Sequence, residues 1–239
     1  MVIVPSIDVR AGRVSWRGGD LEATPRDLAR RFVDAGADEL HLVDLDGAER
    51  GDYANVPLLA EIARGAGIPC RLAGGIATID RARRALAEGF AGVLFSSAVF
   101  GDDDLLREIA ALGGTAIVEL ESRDGFLAPR GGPTELVERA TGRGVLASAA
   151  AAVRAGLRAM YVIDLAAERA PAGPPIALIQ LIRSALGRQT VGLTFHTGGG
   201  VRDLDDVRAL AACGVASVVV GRALADGRFT LADAKAAAA

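Results

Sequence analysis

Short runs of apolar, often β-branched residues alternate with segments whose apolar positions recur every three or four residues, and this alternation repeats eight times along the chain. Buried parallel strands read as continuous apolar runs, and helices with one buried face show the 3.6-residue period. The strands are predicted at residues 2–8, 39–44, 69–73, 92–96, 115–121, 159–164, 190–196 and 216–220. Between them, Leu28 and Phe32, or Ile176, Ile179, Ile182 and Leu186, mark the buried stripes of helices. Eight repeated βα units predict an α/β fold closed into a (β/α)8 TIM barrel, with helices on the outside. The pattern is weakest from Pro129 to Ala159, where Gly131, Gly132, Gly142 and Gly144 interrupt it. A mobile loop is expected there, followed by a helix around Ala147–Arg154.

A second-order repeat underlies the first. Gly74-Gly75-Ile76 lies over Gly199-Gly200-Val201 at an offset of 125, and the residues from Gly89 to Ser97 lie over those from Gly214 to Arg222 at the same offset. Ser96 therefore answers to Gly221, and Ser97 to Arg222. Further toward the N-terminus the offset becomes 120, where His41 to Leu45 matches Tyr161 to Leu165, and then 113, where Asp8 pairs with Glu121. The order never breaks, so residues 1–239 read as one barrel domain made of two similar half-barrels.

A Gly-rich turn entering a helix presents backbone N–H groups at the positive end of the helix dipole and can hold a phosphate without lysine. Two such turns predict a ligand with a phosphate at each end. One phosphate would be held by Gly74, Gly75, Ser96 and Ser97, the other by Gly199, Gly200, Gly221 and Arg222. The competing reading gives these glycines only a role in tight βα turns, and the pairing of the two turns weighs against it. The strand ends carry a second signal, because an apolar strand that finishes in a carboxylate places it at the face where barrels keep their active sites. Asp8, Asp44, Asp46, Glu121 and Asp164 all stand there. Asp8 and Asp164 are the expected acid–base pair, with Asp44 and Asp46 structural.

Composition narrows the chemistry. The 239 residues are 51% hydrophobic and 24% charged, enough apolar material for a large core. Mean hydropathy is positive at +0.30, yet the apolar runs fall far short of the ~20 residues that cross a membrane. No secretion signal is recognised at the N-terminus, so the cytoplasm is the expected compartment. A net charge of −3 with scattered arginines gives no footprint for nucleic acid or membrane, and a small molecule is the expected partner, bound by a monomer. The two cysteines, Cys70 and Cys213, have no metal-ligand spacing. Lys235 is the only lysine, and His41 and His196 are the only histidines. A Schiff-base lysine and multi-histidine metal sites are thereby disfavoured, which leaves carboxylates for proton transfer. Arg123, Arg17 and His196 are further candidates for ligand contact, and His41 is expected to pack within the core.

Several strings then carry a family resemblance over almost the whole chain: Pro5-Ser6-Ile7-Asp8-Val9, Leu40-His41-Leu42-Val43-Asp44-Leu45-Asp46-Gly47-Ala48, Gly74-Gly75-Ile76, Arg123-Asp124-Gly125, Val162-Ile163-Asp164, Gly199-Gly200-Val201 and Val220-Gly221-Arg222-Ala223-Leu224. The sequence resembles the phosphoribosylformimino-aminoimidazole carboxamide ribotide isomerases of histidine biosynthesis, some of which also serve tryptophan synthesis. The resemblance implies an Amadori rearrangement of an aminoaldose to an aminoketose without cofactor or metal. It implies Asp8 as the base and either Glu121 or Asp164 as the acid. The chain departs from the family pattern at Glu119-Leu120-Glu121, where Gly-Ile-Asp is usual, and at Ala77, where Arg is usual. It departs again at Arg130-Gly131-Gly132, where Arg-Gly-Trp is usual, and in the loop after Asp164. Two alternatives remain at this stage: a cyclase or lyase of the same half-barrel lineage, and a non-catalytic diphosphate binder.

Overall fold

The computed structural model describes all residues except 17, 18, 21 and 167–172, together with the side chains of all other residues but 16, 19 and 20. Eight parallel strands form the barrel: β1 (Val2–Arg10), β2 (Leu40–Asp44), β3 (Cys70–Ile76), β4 (Gly92–Phe95), β5 (Ala116–Arg123), β6 (Ala159–Asp164), β7 (Thr194–Gly198) and β8 (Ser217–Val220). Each pairs with the next in chain order, and β8 closes the ring on β1 through Val2↔Ser217 to Pro5↔Val220. The chain is thus a (β/α)8 barrel, as the eightfold alternation predicts.

Period-two alternation divides the apolar residues into two cores. Val4, Ala73, Leu94, Ile117, Tyr161, Ile163 and Val219 fill the barrel interior. Their neighbours along the strands, among them Ile3, Ile7, Leu42, Leu72, Val93, Val118, Val162 and Val218, face outward and pack with Leu28, Phe32, Leu59, Ile179 and Ile182 of the helices. Several helices begin where a polar side chain satisfies a free N–H group: Thr24, Thr78, Asp102, Asp203 and Thr230 each cap the helix that follows.

At the N-terminal end of the barrel the interior is polar. Arg71 is almost fully buried and forms a two-pronged ion pair with Glu39, with Nε 2.5 Å from Oε1. It also donates to Ser217 Oγ at 3.3 Å, and Ser217 Oγ lies 2.7 Å from His196 Nδ1.

Two expectations need correction. The seventh strand spans Thr194–Gly198 rather than residues 190–196, because the helix Ile176–Leu186 runs on into a 3-10 turn, Gly187–Thr190, closed by Thr190 Oγ1 donating to the Gly187 carbonyl at 2.8 Å. Between Pro129 and Ala159 there are two helices, Thr134–Ala140 and Val145–Ala155, where one was expected. The first lies against the turn Ser97–Gly101 so closely that a Cβ on Gly101 would fall 2.6 Å from the Leu136 carbonyl.

Candidate active site

A cavity of about 520 Å³ opens among the C-terminal ends of the strands. Positions of one parity line it: Ser6, Asp8 and Arg10 on β1, His41 and Val43 on β2, Glu119 and Glu121 on β5, and Tyr161 and Ile163 on β6. Both Gly-Gly pairs reach it, one in the C-terminal part of β3 and the other directly after β7. In a ring of eight strands these positions are half a turn apart, with Asp8 on β1, midway between them along one side.

Each turn needs its glycines. Gly74 has φ +138°, and a Cβ there would lie 2.5 Å from the Asp44 carbonyl; Gly200 has φ +77°, and a Cβ would lie 2.5 Å from the Gly173 carbonyl. The surroundings of the two turns differ. Beside Gly199 and Gly200, the cavity is lined by Gly221, Arg222, Arg202 and Arg228. Asp206 fixes Arg202 by accepting from its Nε at 2.9 Å, its Nη2 at 2.8 Å and its backbone N at 2.8 Å. These bonds from Arg202 hold the Asp206 carboxyl below its usual range. Beside Gly74 and Gly75 lie Ser96 and the loop carrying Arg130 and Gly131, whose backbone rests against Ala48 and Gly75. The Ser96 hydroxyl donates to the Gly131 carbonyl.

The predicted carboxylates occupy distinct environments. Asp8 lines the cavity and accepts from the Ser6 hydroxyl through Oδ1. Glu121 is 3% exposed and accepts from Arg130 Nε at 2.6 Å, Ser97 Oγ at 2.7 Å and Arg130 N at 3.2 Å. It therefore anchors the loop after β5. Asp164 ends β6, where its Oδ1 accepts from Ala166 N at 2.9 Å. It stands one residue beyond the lining residue Ile163 and is not itself among the lining residues.

Ser97, Arg123 and His196 are not among the residues that line the cavity. Ser97 is fully buried and bonded to Glu121, so its hydroxyl faces β5. Arg123 is exposed and sits in a hairpin opposite Phe126, pointing to solvent. His196 lies deep in the barrel against Ser217, where burial first and then the Arg71 charge lower its pKa to about 4. Arg17 falls outside the described residues. His41 is buried, as expected, but its ring also forms part of the cavity lining, stacked on Tyr161 with centroids 5.8 Å apart and planes 10° apart. Burial first, with Arg71 second, lowers its pKa to about 3.

Sequence reasoning missed Arg10, Glu119, Tyr161, Arg130, Arg202 and Arg228. The first three share inward parity with recognised positions and could have been found by extending the alternation along each strand. The last three come from loops or follow short turns and carry no periodic signal.

Asp44 and Asp46, expected to be structural, are not among the residues that line the cavity. Asp44 is fully buried, and burial raises its carboxyl pKa above the ordinary range; its Oδ1 accepts from Gly47 N at 3.0 Å. Asp46 accepts from Ala11 N at 2.7 Å and from Arg50 Nη2 at 2.6 Å. Among the described residues no group of three or more His, Cys, Asp or Glu is arranged to hold a metal ion, and no helix is long and apolar enough to cross a membrane.

Comparison with known proteins adds a second line of argument. The profile of the histidine biosynthesis protein family matches residues 2–230. A protein of Rubrobacter xylanophilus, named as a 1-(5-phosphoribosyl)-5-((5-phosphoribosylamino)methylideneamino)imidazole-4-carboxamide isomerase, is 37% identical over 246 residues, covering 99% of this chain and 96% of its own length. Proteins of Moorella thermoacetica and Ruegeria carry the same isomerase name. Each is 34% identical, the first over 100% of this chain and 99% of its own length, the second over 99% and 98%.

Proposed function

Because the chain belongs to the histidine biosynthesis protein family, we propose that it isomerises a bis-phosphoribosyl imidazole carboxamide, converting an aminoaldose to an aminoketose within one molecule. The observation that carries this reading is the placement of Asp8 in one cavity with two Gly-Gly turns half a barrel apart. The relatives are named for a compound with two phosphoribosyl groups, and two anchored phosphates would fix the reacting carbons between them.

The phosphate sites are inequivalent. The turn at Gly199-Gly200, with Gly221, Arg222, Arg202 and Arg228, is the strongly cationic end. The turn at Gly74-Gly75, with Ser96, relies more on backbone donors and the Ser96 hydroxyl, which would exchange the Gly131 carbonyl for a phosphate oxygen.

The chemistry needs an acid to help open the ribose ring and a base to take the C2 proton from the resulting protonated Schiff base. The electron pair of the broken C2–H bond becomes the C1–C2 double bond of an enolamine. Proton return to C1 and loss of the C2 hydroxyl proton give the ketone, so reactant and product are isomers. Asp8 is assigned as the base. Asp164 is preferred as the acid, because both oxygens of Glu121 are engaged by Arg130 and Ser97. The Ser6 hydroxyl donates to Asp8 Oδ1 and so helps orient the carboxyl group.

The test is turnover of the aminoaldose by the purified protein, with the ketose product identified by NMR. Formation of the ketose supports the reading; tight binding without conversion favours the diphosphate-binder alternative.

A further inference from the structure

The segment from Asp44 to Asn55 touches both parts of the site on which the proposed function rests, yet Tyr53 and Asn55 do not line the cavity. Asn55 is 4% exposed, and its side-chain amide joins three pieces of chain. Oδ1 accepts from Gly12 N at 2.9 Å, in the loop four residues beyond Asp8. Nδ2 donates to Asp44 Oδ1 at 2.7 Å and to Asp46 Oδ2 at 2.8 Å. This orientation of the amide sets an acceptor before a donor and donors before two carboxylates; the flipped amide would oppose like groups at all three contacts. Asp46 Oδ2 also takes Ala11 N at 2.7 Å, so two successive amides of the loop after β1 are tied to one polar cluster.

Two residues earlier, Tyr53 reaches the other way. Its hydroxyl donates to the Gly75 carbonyl at 3.0 Å, in the first Gly-Gly turn. Its ring fills the space beside Gly47, where a Cβ would lie 2.7 Å from it, and the Arg81 guanidinium sits 3.6 Å above the ring centroid. A wedge of chain thus bonds to the loop behind Asp8 with one side chain and to the first turn with another. The intervening residues are held by the short helix Leu45–Arg50 and its Asp44 cap.

We propose that Asn55 and Tyr53 are positioning residues that set the distance between the Asp8 carboxylate and the first Gly-Gly turn. The proposal depends on the roles assigned above to Asp8 and to Gly74-Gly75. A proton transfer to a substrate pinned at its phosphate depends on that distance, and a displacement of roughly 1 Å is enough to lower the rate about a hundredfold.

The experiment compares Asn55→Ala and Tyr53→Phe with the wild-type protein in three readouts: steady-state kinetics, thermal unfolding, and amide hydrogen exchange at Gly12. Asn55→Ala frees the loop behind Asp8, so kcat falls roughly ten- to hundredfold with little change in KM. Gly12 exchange accelerates in the same variant. Tyr53→Phe deletes one hydroxyl at the turn and raises KM more than it lowers kcat. Wild-type kcat in Asn55→Ala overturns the proposal, as does the same kcat and KM change in both variants, which marks general loosening. Should Asn55→Ala fail to fold, Tyr53→Phe decides alone, and an unaltered KM there overturns the proposal. Absence of turnover in the wild type refutes the isomerase reading instead. Gly12 exchange still tests the tether in that case, and an unchanged rate in Asn55→Ala overturns it.

Discussion

The Tyr161 hydroxyl occupies the space in which a side chain at position 198 would stand: a Cβ built on Gly198 falls 1.9 Å from it. Tyr161 belongs to β6 and stacks on His41 of β2 across the barrel, so one contact links the entry to the second Gly-Gly turn with the aromatic part of the cavity lining. Gly198→Ala must therefore push the ring off His41 or shift the turn. Overpacking of this kind costs about 1–3 kcal/mol. Thermal unfolding should show that loss, and Gly198→Ala combined with Tyr161→Phe should recover part of it, as expected for two residues in direct contact.

Glu121 and Asp164 should separate in mutagenesis. Glu121→Gln removes the charge paired with Arg130 and should lower stability by about 1–3 kcal/mol, with activity falling through displacement of the loop after β5. Asp164→Asn should leave the unfolding temperature nearly unchanged and reduce kcat by about 10²- to 10⁴-fold, the range of a general acid. Unfolding and kinetic measurements on the two variants check this, and the reverse pattern would move the acid to Glu121.

Both histidines make folding sensitive to mild acid. Their folded pKa values, about 3 for His41 and about 4 for His196, lie below the ordinary 6.5. The unfolded chain therefore binds more protons than the folded one below pH 6.5, and stability falls as pH drops from there toward 4. Two such groups give a slope approaching about 2.7 kcal/mol per pH unit within that window. Urea unfolding at pH 7, 6 and 5 should show this decline, and His196→Gln should remove about half of the slope.

The cationic second turn should dominate binding of simple anions. Arg222→Ala and Arg228→Ala should each weaken inhibition by inorganic phosphate more than Ser96→Ala does, since hydrogen bonds from charged donors are roughly twice as strong as neutral ones. Competition kinetics with phosphate against the substrate provide the comparison.

The strands and both Gly-Gly turns were legible because parallel strands buried on both sides impose continuous apolar runs, and tight βα turns with positive φ require glycine. Parity explains where the reading of the site was incomplete. Asp164 ends an apolar strand, which suggests a place in the mouth, but Tyr161 and Ile163 hold the inward positions and Asp164 is not among the lining residues. His196 has inward parity at a different height: its neighbour across the ladder is Ser217, the first residue of β8, so it faces the polar end around Arg71. Arg130 and Arg202 are set by loops that fold back onto Glu121 and Asp206, and no local periodicity encodes such contacts. The helix Thr134–Ala140 is hidden in the sequence by its flanking glycines, and it packs on the turn Ser97–Gly101.

The most direct test of Asp8 as the base is the fate of a deuterium at C2 of the aminoaldose substrate. Wild-type protein should form the ketose with a primary isotope effect on the proton-abstraction step, and folded Asp8→Asn should fall by about 10²-fold or more in rate. Conversion by Asp8→Asn at the wild-type rate with the same isotope effect would contradict the account, because another group would then be taking the C2 proton.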